Sequence, residues 1–505
     1  MTTVRQKSLS RQTLGRVGAM VMRSLLFLAC AAALSGCFSM RASEGGGQTG
    51  FDPPRQVRAS DIALPTGYRI EPVVTGLTFP TAVTFDEEGR PFVLEAGYSY
   101  GELWTVPRLL RVGPEGQLTV VVTGGDNGPW TGVVFHEGNF YIAEGGEREG
   151  GRILRVTPAG EIRVVSNKLP SLGDHHTNGP VIGPDGWLYF GQGTATNSAV
   201  VGEDNAAFGW LKRQAKFHDT PCRDIQLAGE NFVSGNPLTS DMNEKVTTGA
   251  FSAFGTSTTK GQVIRGEVPC NGAVMRVPLL GGKPELVAWG FRNPFGLAFS
   301  PSGQLYVTDN SYDVRGSRPV FGTGDLLWLV QPGAWYGWPD FHGSHPLDKG
   351  NRFLPPGKTK PTQLLAEHPT TPPEPVAVFD VHSSSDGFDF STHTGFGHVG
   401  QAFVAQFGDM APGVGKVLAP VGFKVVRVDV ETGVIEDFAV NKGKTNGPSS
   451  RLHTGGLERP VAARFNPSGE ALYVVDFGVM SVTDKPVPQK HTGVLWRITK
   501  DTSSR

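Results

Sequence analysis

The chain has 505 residues, a formal net charge of −1, and 18% charged residues. That balance excludes a whole-protein field aimed at nucleic acid, and the length exceeds what one small core needs. Glycine is 68 of the 505 residues, about twice its usual share, which with scattered Phe, Val and Tyr favours many short strands joined by turns.

The chain opens on a basic stretch (Arg5, Lys7, Arg11, Arg16, Arg23) followed by an apolar run from Ser24 to Gly36. The run is too short to stay in a bilayer as a helix. It ends in "LSGC", which resembles a bacterial lipobox and implies a lipid on Cys37, with an ordinary signal peptide or an uncleaved anchor as the alternatives. Residues 1–36 are therefore expected as a lipoprotein signal peptide and 37–64 as a flexible tether. Residues 65–499 are expected as the folded domain and 500–505 as a tail.

From there one phrase recurs: an apolar strand, a polar turn with glycine, and a second apolar strand. The copies centre on Gly89, Gly138, Gly186, Gly303, Gly400 and Gly469, and each reads as a hairpin. After each comes an apolar closing strand, as in "RLLRVGPEG", "GRILRVTPAG" and "GVLWRITK". Six sheet modules in strict alternation argue for an all-β, six-bladed β-propeller, because one small sheet cannot bury both apolar faces but a closed ring of sheets can. A β-sandwich pair is the rival, yet it gives no reason for sixfold phrases. Helix is expected to be minor.

Two long segments interrupt the pattern, at about 195–271 and about 339–380. The first carries Cys222 and Cys270, which in an exported chain form either a disulfide or two buried thiols. Long propeller loops gather at the ends of the central channel and commonly build binding faces.

Chemistry-bearing residues cluster near the starts of blades. "GDHHTNGPVIGPDG" sets His175 and His176 just before an inner strand, where an imidazole can serve as a base near neutral pH. In "GFRNPFGLAF", Arg292 and Asn293 take the place in their blade that Gly179–Pro180 takes in the third. An Arg there holds a carboxylate or closes a network between blades. Asp309, Asn310, Ser311, Tyr312 and Asp313 form a loop of oxygen donors suited to calcium or to a plain Asx-turn. "HGSH", His342 to His345, reads as a solvent-exposed polar loop.

Taken together, "DHHTNGPVIGPDGWLYFGQG", "GFRNPFGLAFSPSGQLYVTDN" and "WYGWPDF" resemble the quinoprotein glucose/sorbosone dehydrogenase family, of the soluble aldose sugar dehydrogenase type. The resemblance covers most of residues 65 to 499. It implies a six-bladed propeller with pyrroloquinoline quinone (PQQ) and calcium in the channel, oxidising a sugar or a sugar-derived aldehyde. It further implies His175 as the base, Arg292 and Asn293 on the cofactor, and a metal loop of Asn310, Ser311 and Tyr312, the last two through backbone carbonyls. His382 matches a cofactor-lining region, and Lys424 is the nearest candidate for a basic cofactor contact in the fifth blade. Where many members carry an Asp that orients the base, this chain has Thr194.

The expected partners are a small sugar substrate, an external electron acceptor and a membrane reached through the lipid, with no nucleic acid. The expected location is the cell envelope, outside the cytoplasm. The alternative is a non-catalytic propeller that binds carbohydrate or protein there; a metal-dependent lactonase would need a set of channel ligands that the sequence does not complete.

Overall fold

The computed structural model describes residues 38, 40–99, 102–103, 105–483 and 485–501. The chain divides into two units, Met1–Ser43 and Glu44–Arg505. The apolar run and Cys37 lie outside the described residues. Among the described residues no helix is long and apolar enough to cross a membrane.

The second unit is a six-bladed β-propeller. Blade 1 is Pro80–Phe85, Pro91–Glu95, Arg108–Val112 and Leu118–Thr123, running outward from the axis. Blade 2 is Trp130–His136, Asn139–Glu144, Gly151–Val156 and Ile162–Leu169. Blade 3 is Thr177–Ile182, Trp187–Gln192, Ala273–Pro278 and Glu285–Trp289. Blade 4 is Pro294–Phe299, Leu305–Asp309, Gly324–Leu329 and Ala377–Val381. Blade 5 is Ser385–Phe390, Ala402–Gln406, Lys424–Val428 and Ile435–Asn441, with Ile62–Ala63 added at its edge. Blade 6 is Pro460–Phe465, Ala471–Asp476, Gly493–Lys500 and, outermost, Tyr68–Leu77 from the other end of the chain.

All six glycines read as hairpin turns sit at positive φ, between 71° and 84°. Only glycine adopts that backbone without a Cβ penalty, which is why the turn was visible in sequence. The phrase read as a closing strand is the third of four. The fourth strands are less apolar because one face meets solvent, and the ring closes through Tyr68–Leu77 paired antiparallel to Gly493–Lys500.

Alternation within strands builds the core. In Pro91–Glu95, Phe92 and Leu94 pack toward blade 2 with Trp130 and Phe140, while Val93 packs toward blade 6 with Val475 and Leu495. Successive side chains of a strand point to opposite faces, so each blade serves two cores and each core lies between two blades.

A second sixfold feature escaped the sequence reading. The last residue of every blade's second strand is polar and buried: Glu95, Glu144, Gln192, Asp309, Gln406 and Asp476. Each bonds the segment that leads into its own blade. Glu95 accepts from the Thr78 N–H at 2.7 Å, Asp309 from Asn293 at 2.7 Å, and Asp476 from Glu458 and Arg459 at 2.9 Å. Those backbone donors have left the sheet ladder and must be satisfied elsewhere.

Residues 44–64 do not form the expected tether. The Glu44 N–H bonds the Val417 carbonyl at 2.9 Å, and the Gly46 N–H reaches the Asp409 carboxylate at 3.1 Å. Arg55 pairs with buried Asp476 at 2.6 Å. Glycines let this segment lie flat on the ring: a Cβ on Gly46 would strike the Phe423 ring.

The first insertion leaves blade 3 after Gln192 and returns at Ala273. It carries two short helices, Glu203–Ala207 and Trp210–Arg213, a hairpin of Asn231–Gly235 with Lys245–Gly249, and a disulfide between Cys222 and Cys270.

Candidate active site

A cavity of about 260 Å³ lies on the axis, at the face where the chain enters each inner strand. The fold selects its floor. The second residue of every inner strand lines it: Thr81, Thr131, Asn178, Phe295, Asp386 and Val461. Propeller geometry thus converts one register position into a ring of six side chains, and only two of these, Asn178 and Asp386, present an amide or a charge.

His175 and His176 stand two and one residues before the inner strand of blade 3. Arg292 and Asn293 stand at the same places before blade 4, because Thr177 pairs with Gln192 as Pro294 pairs with Asp309. The sequence alignment of Arg292–Asn293 with Gly179–Pro180 was therefore four residues out of step. Counted back from the turn glycines the match is direct: His175 and His176 stand eleven and ten residues before Gly186, as Arg292 and Asn293 stand before Gly303, and the bulges in the two inner strands fall at equivalent places.

The His175 Nδ1 lies 2.8 Å from the Thr194 carbonyl oxygen and 3.2 Å from its hydroxyl. A carbonyl only accepts, so Nδ1 carries the hydrogen and Nε2 keeps its lone pair. His175 lines the cavity. Burial holds its pKa well below the ordinary value, helped by the Arg292 and Arg315 cations, so the ring is neutral at pH 7. A side chain on Gly193 would collide with His175 and lie 2.9 Å from the Asn293 Oδ1, so glycine there lets these two residues share one corner. His176 is held differently: its Nδ1 is 3.3 Å from the Ser171 carbonyl, its Nε2 faces Glu147 at 3.8 Å, and burial lowers its pKa to about 4.

Arg292 is 4% exposed, and its guanidinium bonds the Asn197 carbonyl and amide oxygens, the Asn310 carbonyl and the Asp313 carboxylate. It closes a network between blades while one face borders the cavity. Asn293 accepts from Asn178 at 3.0 Å and donates to Asn310 at 2.9 Å. Asp309 accepts the Arg292 and Asn293 N–H groups beneath them, and burial pushes it up to about 7.

His382 and Ser311 also line the cavity. Asn310 does so with its side chain already engaged, donating to the Ser385 carbonyl at 3.0 Å and to Asp386 at 3.2 Å. The Tyr312 carbonyl accepts from the Thr323 hydroxyl at 2.9 Å, and its phenol bonds the Phe341 carbonyl at 2.9 Å.

Lys424 is not brought to the cavity. It begins the third strand of blade 5 and pairs with Asp437 at 2.6 Å, because its register position faces the fourth strand. His342 is not solvent-exposed: it is 3% exposed, and its ring bonds the Gly324 carbonyl at 2.8 Å, drawn in by packing against Phe353. Among the described residues no group of three or more His, Cys, Asp or Glu side chains is gathered closely enough to hold a metal ion.

Several site residues went unread in the sequence. Arg315 lines the cavity and bonds Asp174, Asp204 and Asp313, with the Phe208 ring 4.6 Å from its guanidinium. Asp386 is 4% exposed, and burial followed by neighbouring Asp325 drives its pKa well up. Phe407, Met410, Val461 and Phe477 give the side formed by blades 5 and 6 an apolar wall. None of these lies in a recognisable motif, and Phe208 reaches the site only through the insertion.

No family model matches the chain, and no curated protein matches it. Among solved structures, the holo form of the pyranose dehydrogenase PQQ domain from Coprinopsis cinerea aligns at a TM-score of 0.52 and 14% identity, covering 89% of this chain and 98% of that one. A calcium structure of a Trichoderma reesei carbohydrate-active enzyme of family AA12 aligns at a TM-score of 0.51 and 15% identity, covering 88% and 98%. The PQQ-bound aldose sugar dehydrogenase of Streptomyces coelicolor aligns at 0.49 and 16%, covering 86% and 99%. The chain thus shares its fold with the first two of these proteins over most of its length.

Proposed function

We propose that the chain oxidises a sugar or a sugar-derived aldehyde in the axial cavity with bound PQQ and calcium, passing electrons to an external acceptor. The observation that carries this reading is His175: a neutral imidazole with Nδ1–H fixed by Thr194 and a free Nε2 in a cavity bordered by Arg292 and Asn293. The proteins sharing the fold, the holo PQQ domain of a pyranose dehydrogenase and a family AA12 enzyme in a calcium structure among them, support it.

The residues suit such a group. The wall of Phe407, Val461 and Phe477 accepts a flat ring, and Arg292, Arg315 and His382 border it for acidic substituents. Asp386 is a buried carboxylate without a cationic partner, and with the Ser311 carbonyl it offers the oxygen donors calcium prefers. The Asn310 amide and the Tyr312 carbonyl, already engaged, are the weaker donors of the expected set. When bound, the quinone supplies a hydride acceptor that calcium polarises.

The protein's own part is acid–base and positional. The His175 Nε2 takes the proton from the substrate hydroxyl as its carbon gives up hydride. The resulting imidazolium is held by the two Thr194 oxygens. Asn178 and Asn293 orient polar groups at the floor, and the insertion, through Phe208, keeps water from that side.

Export and a lipid on Cys37 belong to the same proposal, supported by the basic stretch, the apolar run and "LSGC". Purified protein reconstituted with PQQ and calcium is expected to show a bound quinone spectrum and to reduce a dye with at least one aldose in a panel. Absence of both defeats the enzyme and leaves the non-catalytic binder.

A further inference from the structure

The Thr194 oxygens that hold His175 belong to a turn fastened at both ends. The Thr194 N–H bonds the Arg292 carbonyl at 2.9 Å, and the Thr194 hydroxyl spends its hydrogen on the Thr196 carbonyl at 2.7 Å. Toward the imidazole that hydroxyl can therefore only accept. Beyond it, the Ala195 N–H and the Thr196 hydroxyl each donate to one oxygen of Asp219, both at 2.6 Å. Asp219 comes from the insertion and is 1% exposed.

Among the described residues no arginine, lysine or histidine side chain forms an ion pair with Asp219, and Asp174, another carboxylate, acts on it. A buried carboxylate in that state is costly, and its two short bonds to the turn are what it is there to make. The insertion is tied down around it. The Thr220 N–H bonds the Asn271 amide oxygen at 3.0 Å, the Asn271 amide donates to the Gly193 carbonyl at 2.9 Å, and the Cys222–Cys270 disulfide follows.

We propose that Asp219 is the positioning residue for the catalytic imidazole, acting through the Thr194–Thr196 turn to keep Nδ1–H bonded and Nε2 free. The orienting carboxylate missing at Thr194 is supplied one turn further back, from the insertion. This inference rests on the reading of His175 as the base.

The test is ¹⁵N NMR of the His175 ring in the folded protein without added quinone, beside steady-state kinetics of the reconstituted enzyme. Wild type is expected to hold one Nδ1–H tautomer. Asp219→Ala is expected to mix the two tautomers and to lower kcat about tenfold or more, a fraction of what a general base contributes, with KM unchanged; Asp219→Asn is expected to restore part of both. One unmixed tautomer in Asp219→Ala with wild-type kcat overturns the proposal. Thr196→Val, which removes one of the two bonds, decides the matter by the same tautomer readout where Asp219→Ala does not fold. Full turnover in His175→Ala defeats the sugar-oxidation reading, whereas the tautomer readout judges Asp219 independently.

Discussion

The Arg315 guanidinium bonds the Asp174 carboxylate at 2.8 Å, and Asp174 is the residue directly before His175. The same guanidinium reaches Asp204 at 2.7 Å in the insertion and Asp313 at 3.0 Å in blade 4. One buried cation therefore joins the His175 loop, the insertion and the loop beneath Arg292. Although burial disfavours its charge, the three carboxylates hold its pKa above the ordinary value. Arg315→Met leaves buried carboxylates uncompensated and is expected to cost about 3–5 kcal/mol, read as a lowered denaturant midpoint. Arg315→Lys cannot fork to all three and is expected to recover only part.

His175 is neutral across the physiological range because its pKa lies well below 6.5. The pH–rate profile is expected to be flat through neutrality and to fall only on the acid side, as the ring gains a proton. His175→Gln is expected to lower kcat about 10²–10⁴-fold while the quinone spectrum persists. A profile with its acid limb at or above pH 6.5 contradicts the assigned environment.

His342 makes the corresponding prediction for stability. Burial lowers its pKa to about 4, whereas the unfolded chain titrates near 6.5. The unfolded state then binds more protons between those values. The His342 contribution is present above pH 6.5 and is lost as pH falls toward about 4, by about 3 kcal/mol. His342→Gln, measured by urea unfolding at pH 7 and pH 4.5, is expected to flatten that slope. An unchanged slope shows that the ring is not held neutral.

The disulfide closes a sequence separation of 48 residues. Loop-closure entropy of that length is worth about 4 kcal/mol. Cys222→Ser with Cys270→Ser is expected to loosen the insertion first, seen as early proteolysis between residues 229 and 262, and then to lower the melting temperature. Reductant is expected to reproduce both effects in wild type and neither in the double variant.

Asp386→Asn tests the cation donors. Removing this buried carboxylate from the cavity floor is expected to raise the calcium needed for half-maximal quinone loading by about tenfold or more, while raising apoprotein stability at pH 7. Titration calorimetry with calcium reads the first and thermal melting the second.

The ring was legible because each hairpin turn needs a glycine at positive φ, and Gly89, Gly138, Gly186, Gly303, Gly400 and Gly469 mark all six. His175, Arg292 and Asn293 were legible because they adjoin those hairpins. What pattern could not reach is what the topology assembles across long separations: Asp219 beneath Thr194, Arg315 among three carboxylates, Phe208 over the cavity. The capping position at the end of each second strand was hidden because Glu, Gln and Asp all serve there, so identity varies while the hydrogen-bonding duty does not. Lys424 was misplaced because strand register, which sequence leaves open, decides which face a side chain takes.

Segment 44–48 lies beside Asp409, Val417 and Val482, on the same rim as the cavity-lining Met410 and Val414. Segment 44–48 therefore belongs to the wall on the side of the ring that opens onto the site. Its three glycines, Gly45 to Gly47, are what let the backbone settle there, since a Cβ on any of them would strike Asp409, Phe423 or Val482, so a bulkier residue at these positions would lift the segment and reshape that side of the ring.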